Sequence, residues 1–350
     1  MDTITVNGST SYNVIIERGI LDRVGGYLRD ELAGEKALIV TDSNVATLYL
    51  NTVAESLKEA GYESYSVVLA PGDQSKSIDI YVDLLQLLAD YSFHATDLII
   101  GLGGGMIGDL AGFVGATYQR GMRTVLLPTS LLAAVDASVG GKTAVNMSSG
   151  KNQVGTIRNP SIVICDPRTM TTLSDDDLQE GYAEIIKYGI LTGYEIIDML
   201  RDAIENKDYA KVICRSVEIK RDVVEMDEGD KNLRQFLNLG HLVGHAIEAA
   251  SDFNISHGQA VAVGLAVEAR AAALHGYTAM STYLEISSIL REFGFDALCS
   301  YVIADLAPYL GSDKRIRDGK IDVIVPITIG DCVMQPIEAS AIEDYCRRGL

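Results

Sequence analysis

Basic side chains are scarce in this chain. Lys and Arg number 29 against 48 Asp and Glu, a formal net charge of −19. That balance argues against nucleic acid and anionic membrane as partners, since both are polyanions. It also means that an anionic substrate needs a local basic pocket, so clustered lysines and arginines become informative. Cysteine is sparse and odd in number (Cys165, Cys214, Cys299, Cys332, Cys346), with no CxxC pair. A reduced, cytoplasmic setting is therefore expected, and metal-ligand or nucleophile roles for these thiols are not. No apolar run approaches the roughly 20 residues of a membrane span. The opening Met1-Asp2-Thr3-Ile4-Thr5 has no basic region followed by an apolar one, so no signal peptide is expected. Repeats and low-complexity linkers are also absent.

What is present suits a globular α/β protein. The 350 residues are 47% hydrophobic, enough for two domains on a prior of roughly 100–200 residues each. Continuous β-rich runs separated by amphipathic segments fill the first half: 37–41, 66–69, 97–101 and 124–128. Such runs imply a parallel sheet covered on both faces. After Pro167 the pattern becomes almost wholly helical, with Ser174 as N-cap and Asp175, Asp176 and Asp177 in the first turn. Two short strands, 321–326 and 332–334, precede a last helix. The expected organisation is thus an α/β domain over 1–170, with a parallel, Rossmann-like sheet, and a mainly α-helical domain over 171–350, packed closely with a cleft between them.

Three features carry chemistry. Leu98-Ile99-Ile100-Gly101-Leu102-Gly103-Gly104-Gly105 is a strand leading through glycines into a helix. There, backbone N–H groups can approach a pyrophosphate at a helix N-terminus. The spacing is not GxGxxG, and glycine turns of this kind also occur without a ligand. Asp42, at the end of a neighbouring strand, suits a ribose hydroxyl or an adenine amine, or a helix cap. Second, three of the five histidines fall within seventeen residues, His241, His245 and His257. Helical spacing i, i+4 places His241 and His245 on one face, with Asn238 one turn before them. Two imidazoles and a third from a following loop can hold a divalent ion. The apolar neighbours Leu237, Leu239, Leu242, Val243 and Ile247 also allow a buried helix whose histidines are simply hydrogen-bonded. Third, Lys142 and Lys151 sit in glycine-flanked loops, and Glu184 and Lys187 share a helix face at i, i+3. Lys220 and Arg234 bracket an acidic stretch, and Lys314 and Arg315 come late in the chain. Each of these has an ordinary surface-charge alternative.

Taken together, the motifs resemble the 3-dehydroquinate synthase family. The resemblance runs through Gly103-Gly104-Gly105 with Asp109, Ala111-Gly112-Phe113, Thr117-Tyr118, Arg120-Gly121 and Pro128-Thr129-Ser130-Leu131-Leu132-Ala133. It continues in Val135-Asp136, Gly140 through Asn146, Gly150-Lys151-Asn152, Ala183 through Gly189, Asn238 through Glu248, and His257-Gly258. It implies a dehydroquinate synthase-like fold with an NAD-binding first domain and a Zn2+ site, cobalt being an alternative ion. By motif matching the metal ligands would be Glu184, His241 and His257. NAD+ contacts would fall on Asp42, Asp73, Lys76, Gly104, Gly105, Asp109, Thr129, Ser130, Lys142, Lys151 and Thr172. His245, Asn152, Asn238 and Lys142 would sit beside a substrate phosphate, joined by Lys314 or Arg315. Lys220 and Arg234 would face a carboxylate, and Asp136 and Lys187 the reacting hydroxyls. Arg120 resembles a residue lent by the second subunit of a homodimer.

The implied reaction converts 3-deoxy-D-arabino-heptulosonate 7-phosphate to 3-dehydroquinate and phosphate, with NAD+ used catalytically. Alternatives are aminodehydroquinate synthase, which keeps the same cationic pair, another sugar phosphate cyclase, a glycerol-dehydrogenase-like enzyme, and an inactive binding homologue. Departures from the family pattern are Asp73 for glutamate, Ser130 for threonine, Leu242 where threonine is common, and Gln259 for glutamate. The last is expected to remove a supporting charge from the metal ligand His257.

Overall fold

The computed structural model describes residues 1–147, 150–230, 232–311 and 315–350. The chain divides into two compact units, Met1–Leu173 with Lys207–Gly229, and Ser174–Asn206 with Asp230–Leu350. The expected single break near 170 is thus replaced by three crossings. The Ala210–Met226 helix, which carries Lys220, returns to the first unit.

Among the described residues, nine strands belong to the first unit: β1 (Asp2–Val6), β2 (Tyr12–Ile16), β3 (Lys36–Asp42), β4 (Glu63–Leu69), β5 (Leu98–Gly103), β6 (Arg123–Pro128), β7 (Lys142–Met147), β8 (Gly150–Ile157) and β9 (Ile162–Cys165). Seven form one sheet in the order β1-β2-β9-β6-β5-β3-β4, parallel except for the β1–β2 pair. Alternate residues of the central strands enter different cores. Ile39, Ile100, Leu102, Val125 and Leu127 pack in one cluster, whereas Leu38, Val40 and Ile99 pack in the other. Period-2 side chains buried on both faces leave no polar alternation, which is why these strands read as continuous apolar runs. The remaining two strands make an antiparallel hairpin, β7–β8. Lys142 and Lys151 therefore stand on strands, not in the loops expected of them.

A buried carboxylate ties the entry of β5 to that of β3. Asp97, 3% exposed, accepts from the backbone N–H of Glu35 and Lys36 at 3.0 Å each and of His94 at 2.8 Å. Burial pushes this carboxyl up, but the three N–H bonds outweigh it and hold it below its ordinary value of 3.8. A depressed folded-state value means the contribution is complete above that ordinary value and is lost as pH falls through the lower, folded one. Asp97→Asn is expected to cost about 1–3 kcal/mol of unfolding free energy at neutral pH, read by urea denaturation. A change within about 0.5 kcal/mol, as for an ordinary surface site, contradicts the role.

The second unit is helical. Its Asp175–Thr192 helix starts where Ser174 Oγ accepts from Asp177 N at 3.1 Å, with three aspartates in the first turn. It ends at Gly193, whose φ of +114° suits glycine. The helices His241–Ala250 and His257–Leu274 pack Leu242, Val243, Ala246, Ile247, Ala260 and Val267 into a core shared with β10 (Lys320–Thr328) and the closing Ile342–Gly349 helix. β11 (Asp331–Glu338) pairs antiparallel with β10. Asn238 does not sit on the His241 helix; it ends a separate Leu233–Asn238 3-10 turn, because Gly240 breaks the run with a left-handed φ of +79°. Among the described residues no helix is long and apolar enough to cross a membrane.

Candidate functional site

In the second unit, Glu184 sits mid-helix inside a run, Gly181 through Ile190, that is buried throughout. Lys187, 1% exposed, bonds Glu184 Oε2 and lies 4.9 Å over the Tyr188 ring. This is a buried pair, so the surface-charge alternative does not hold here. Burial pushes the Glu184 carboxyl up, but the charge of Lys187 beside it, the largest opposing cause, helps hold it well below the usual carboxylate range.

The other oxygen, Glu184 Oε1, is buried and has no hydrogen-bond partner among the described residues. It faces His241 Nε2 and His257 Nε2 at 3.4 Å each. On the far side of each ring the opposite nitrogen is engaged. His241 Nδ1 lies 3.1 Å from the Leu239 carbonyl and His257 Nδ1 lies 3.3 Å from Glu248 Oε2. A carbonyl and a carboxylate can only accept, so each Nδ1–H donates outward. Burial keeps His241 below its ordinary value, and its neutral ring presents the Nε2 lone pair inward. Glu184 and Glu248 outweigh burial and push His257 up to about 10, so a bound cation would take the place of its Nε2 proton.

These three inward atoms lie within 4.8 Å of one another. Ligands held tetrahedrally at about 2.0–2.1 Å from zinc lie about 3.4 Å apart, the separation found between Glu184 Oε1 and each imidazole. An orphaned carboxylate oxygen and two imidazole nitrogens aimed at one point fit a divalent cation. At 3.4 Å neither imidazole reaches that oxygen at the roughly 2.9–3.0 Å of an ordinary N–H···O bond. His245, Glu248 and His257 form a second close group, but Glu248 already faces the His257 nitrogen that points away from Glu184. Glu248 thus supplies the supporting carboxylate that Gln259 was expected to leave missing. The sequence carries its signal in His241-Leu242-Val243-Gly244-His245-Ala246-Ile247-Glu248, since position i+7 returns to the face of His241.

Among the other expected residues, His245 stands beside this cluster, its ring centroid 5.2 Å from that of His241 and 6.3 Å from that of His257. Arg234 is 2% exposed. Lys314 lies outside the described residues, while Arg315 lies within them, half-buried.

The first unit collects a separate set. Lys76 Nζ bonds Asp109 Oδ2 and Asn152 Oδ1, both at 2.5 Å, and Lys151 Nζ pairs with Asp73 Oδ2 at 2.6 Å. The hairpin is held further by bonds from Asn146 N to the Lys76 carbonyl at 2.7 Å, from Asn146 Nδ2 to the Asp73 carbonyl at 3.3 Å and from Asn152 N to Asn146 Oδ1 at 3.0 Å. Five expected residues, Asp73, Lys76, Asp109, Lys151 and Asn152, thereby join one polar network. Lys142 opens β7 and is exposed. Lys220 Nζ bonds the Asp136 carbonyl and lies 3.0 Å from Asp136 Oδ1. The Thr172 hydroxyl meets Tyr49 Oη at 2.6 Å.

At the glycine bend, the Gly105–Thr117 helix has no side-chain cap at Gly104. A Cβ on Gly104 would come 3.4 Å from Ser130 Oγ, and one on Gly105 would come 3.3 Å from the Ala137 methyl. Thr129 N donates to the Gly103 carbonyl at 3.0 Å. An uncapped helix start at the carboxyl end of β5, beside the end of β3, is an anion-binding arrangement. Asp42 closes β3 and accepts from Asn44 N at 2.9 Å and Val45 N at 3.2 Å, so the helix-cap alternative is realised. Gln119, Arg120 and Gly121 are consecutive left-handed residues, with φ of +47°, +65° and +127°. They leave Arg120 exposed, its carbonyl accepting from Arg158 Nη1 at 3.3 Å.

Two family descriptions match the chain, 3-dehydroquinate synthase N-terminal over residues 66–180 and 3-dehydroquinate synthase C-terminal over 181–316. Among curated relatives, the 3-dehydroquinate synthase of Caldanaerobacter subterraneus subsp. tengcongensis is 37% identical over 94% of this chain and 95% of its own length. That of Streptococcus suis is 37% identical over 98% and 99%. Among solved structures, a 2-deoxy-scyllo-inosose synthase complexed with carbaglucose-6-phosphate, NAD+ and Co2+ superposes with a TM-score of 0.87 at 22% identity, covering 100% of both chains. A 2-epi-5-epi-valiolone synthase from Streptomyces hygroscopicus subsp. jinggangensis with NAD+ and Zn2+ gives 0.87 at 24% identity, covering 98% and 97%. At these identities the structural likenesses establish the shared fold.

Proposed function

The chain belongs to the 3-dehydroquinate synthase family, and from that membership we propose that it converts 3-deoxy-D-arabino-heptulosonate 7-phosphate to 3-dehydroquinate and phosphate, using NAD+ and a divalent cation. The observation that carries this reading is the convergence of Glu184 Oε1, His241 Nε2 and His257 Nε2 on one point. When bound, NAD+ supplies reversible hydride acceptance and the cation supplies Lewis acidity toward a substrate oxygen. Because hydride is taken and returned, the overall conversion involves no net oxidation.

The chain's own residues would do the rest. Glu184, His241 and His257 hold the cation, while Lys187 offsets the buried Glu184 charge and offers its ammonium to a reacting hydroxyl. Asp136, paired with Lys220, takes the other hydroxyl contact. Lys142, Asn152, Asn238, His245 and Lys314 or Arg315 bind the phosphate. Asp42, Asp73, Lys76, Gly104, Gly105, Asp109, Thr129, Ser130, Lys142, Lys151 and Thr172 hold the dinucleotide, the uncapped helix start at Gly104 taking its pyrophosphate. Arg120 is offered to a second copy of the chain in a homodimer. The five free cysteines suit a reducing compartment, here the cytoplasm.

Lys220 and Arg234 give the substrate carboxylate two cationic partners. Hydrogen bonds to charged groups are worth about 1.5–3 kcal/mol, so Lys220→Met and Arg234→Met should each raise KM by about 10–150-fold and leave NAD+ binding unchanged. NAD+ binding weakened in both variants contradicts their assignment. The whole reading is tested by incubating the protein, Zn2+ and NAD+ with the heptulosonate phosphate while following phosphate and dehydroquinate. Equal formation of both supports it. Turnover of glucose 6-phosphate or of the amino analogue instead transfers the chain to a different cyclase activity.

A further inference from the structure

Both imidazoles that face Glu184 open helices. His241 is the first residue of the His241–Ala250 helix and His257 the first of His257–Leu274. First-turn N–H groups lack intrahelical partners and carry partial positive charge. Two such helix starts make an unfavourable setting for a divalent cation. Neither helix has a cap of its own. Gly240 has no side chain, and Ser256 makes no cap bond, its Oγ buried without a partner.

The caps come instead from the neighbouring helices. Glu268, far along the His257 helix and 2% exposed, reaches back to the start of the His241 helix. Its Oε2 accepts from Gly240 N and its Oε1 from Val243 N, both at 3.0 Å. Glu180, one turn before Glu184, accepts from Gly258 N at 2.7 Å through Oε2. The start of each histidine-bearing helix is therefore closed by a carboxylate from another helix that carries a ligand of the same site.

We propose that Glu268 and Glu180 are positioning residues for the metal centre, fixing the first turns from which His241 and His257 project and offsetting the positive helix ends beside the cation. A neutral Ser or Asn side chain at the N-cap could satisfy Val243 N in one helix and Gly258 N in the other. Only a carboxylate also supplies the compensating charge, and burying one at Glu268 is otherwise unfavourable. The inference rests on the reading that Glu184, His241 and His257 share a divalent ion. It adds that their geometry and affinity are set by two carboxylates that never touch it.

The test is a competition titration of Zn2+ into the metal-stripped full-length chain, as wild type, Glu268→Gln, Glu180→Gln and His241→Ala. Burial pushes the Glu268 carboxyl up to about 7, so the titrations are run near pH 8, where it is ionised. Both glutamine variants should raise the Zn2+ Kd by about 10–100-fold, the range for removing a partner that orients a ligand. The visible spectrum of the Co2+-loaded chain should change in both, a shift that a merely structural cap would not cause. NAD+ affinity should stay at the wild-type value. Should Glu268→Gln fail to fold, as judged by circular dichroism, the half-buried Glu180→Gln decides the matter alone. Tight binding that is lost in His241→Ala but unchanged in the glutamine variants overturns this inference and leaves the metal reading standing. Equal binding by wild type and His241→Ala overturns both.

Discussion

Glu184→Gln should strip the chain of stoichiometric Zn2+ and weaken the fold of the second unit at once. Glutamine keeps the shape, so the change isolates the charge. Removing a direct ligand should cost at least the roughly 100-fold in affinity that marks the upper end for losing a mere orienting partner. Turnover should fall with it. A second cost falls on Lys187, which is 1% exposed and has its ammonium bonded to Glu184. Removing one member of a buried ion pair typically costs about 3–5 kcal/mol, because the remaining charge is left uncompensated. Zinc content by mass spectrometry and urea unfolding of the metal-free chain separate the two effects. A variant that keeps wild-type zinc content would exclude Glu184 as a ligand. One that loses zinc at unchanged stability would show that Lys187 finds another counter-charge.

Gly264→Ala should destabilise the second unit strongly, against the sign that helix propensity gives. An alanine in a helix interior is worth about 1 kcal/mol over glycine, so propensity alone predicts a gain. Packing predicts the reverse. A Cβ at Gly264 would stand 1.9 Å from the Gly240 carbonyl oxygen and 2.9 Å from Gly244 N. Both are backbone atoms, so no rotamer change relieves the clash, and the two helices that begin at His241 and His257 must separate. Overpacking costs about 1–3 kcal/mol, occasionally more, and a backbone-on-backbone clash belongs at the upper end. Set against the gain of about 1 kcal/mol from propensity, the net loss is about 2 kcal/mol, a Tm lowered by roughly 4–8 °C for a unit of this size. Zinc affinity should fall too, since the imidazoles move apart. A raised Tm would show that the helices do not approach as closely as described.

Residue type and spacing made the parallel sheet legible. Buried central strands such as β3 and β5 have no polar face, and that pattern survives in one dimension. The β7–β8 hairpin did not announce itself, because Gly, Lys and Asn residues at its turn read as loop. Nor did β1, whose Thr-Ile-Thr-Val alternation is short and only half buried. The return of the Ala210–Met226 helix to the first unit is a tertiary choice with no local mark.

At the candidate metal site, the family resemblance and a dense histidine pattern single out Glu184, His241 and His257, whose inward atoms lie within 4.8 Å of one another. Nothing in the sequence singles out their supports. Glu268 lies 25 and 28 residues from the amides it caps, and Glu180 lies 78 from its own. A carboxylate that caps a helix in trans looks, in sequence, like any other glutamate.

The most direct measurement is anomalous diffraction at the zinc edge from crystals of the zinc-loaded chain. The expected result is one peak within about 2.0–2.2 Å of Glu184 Oε1, His241 Nε2 and His257 Nε2 together. A peak seated on His245 and Glu248 instead, or no peak at full zinc occupancy elsewhere on the surface, contradicts the assignment on which the proposed chemistry rests.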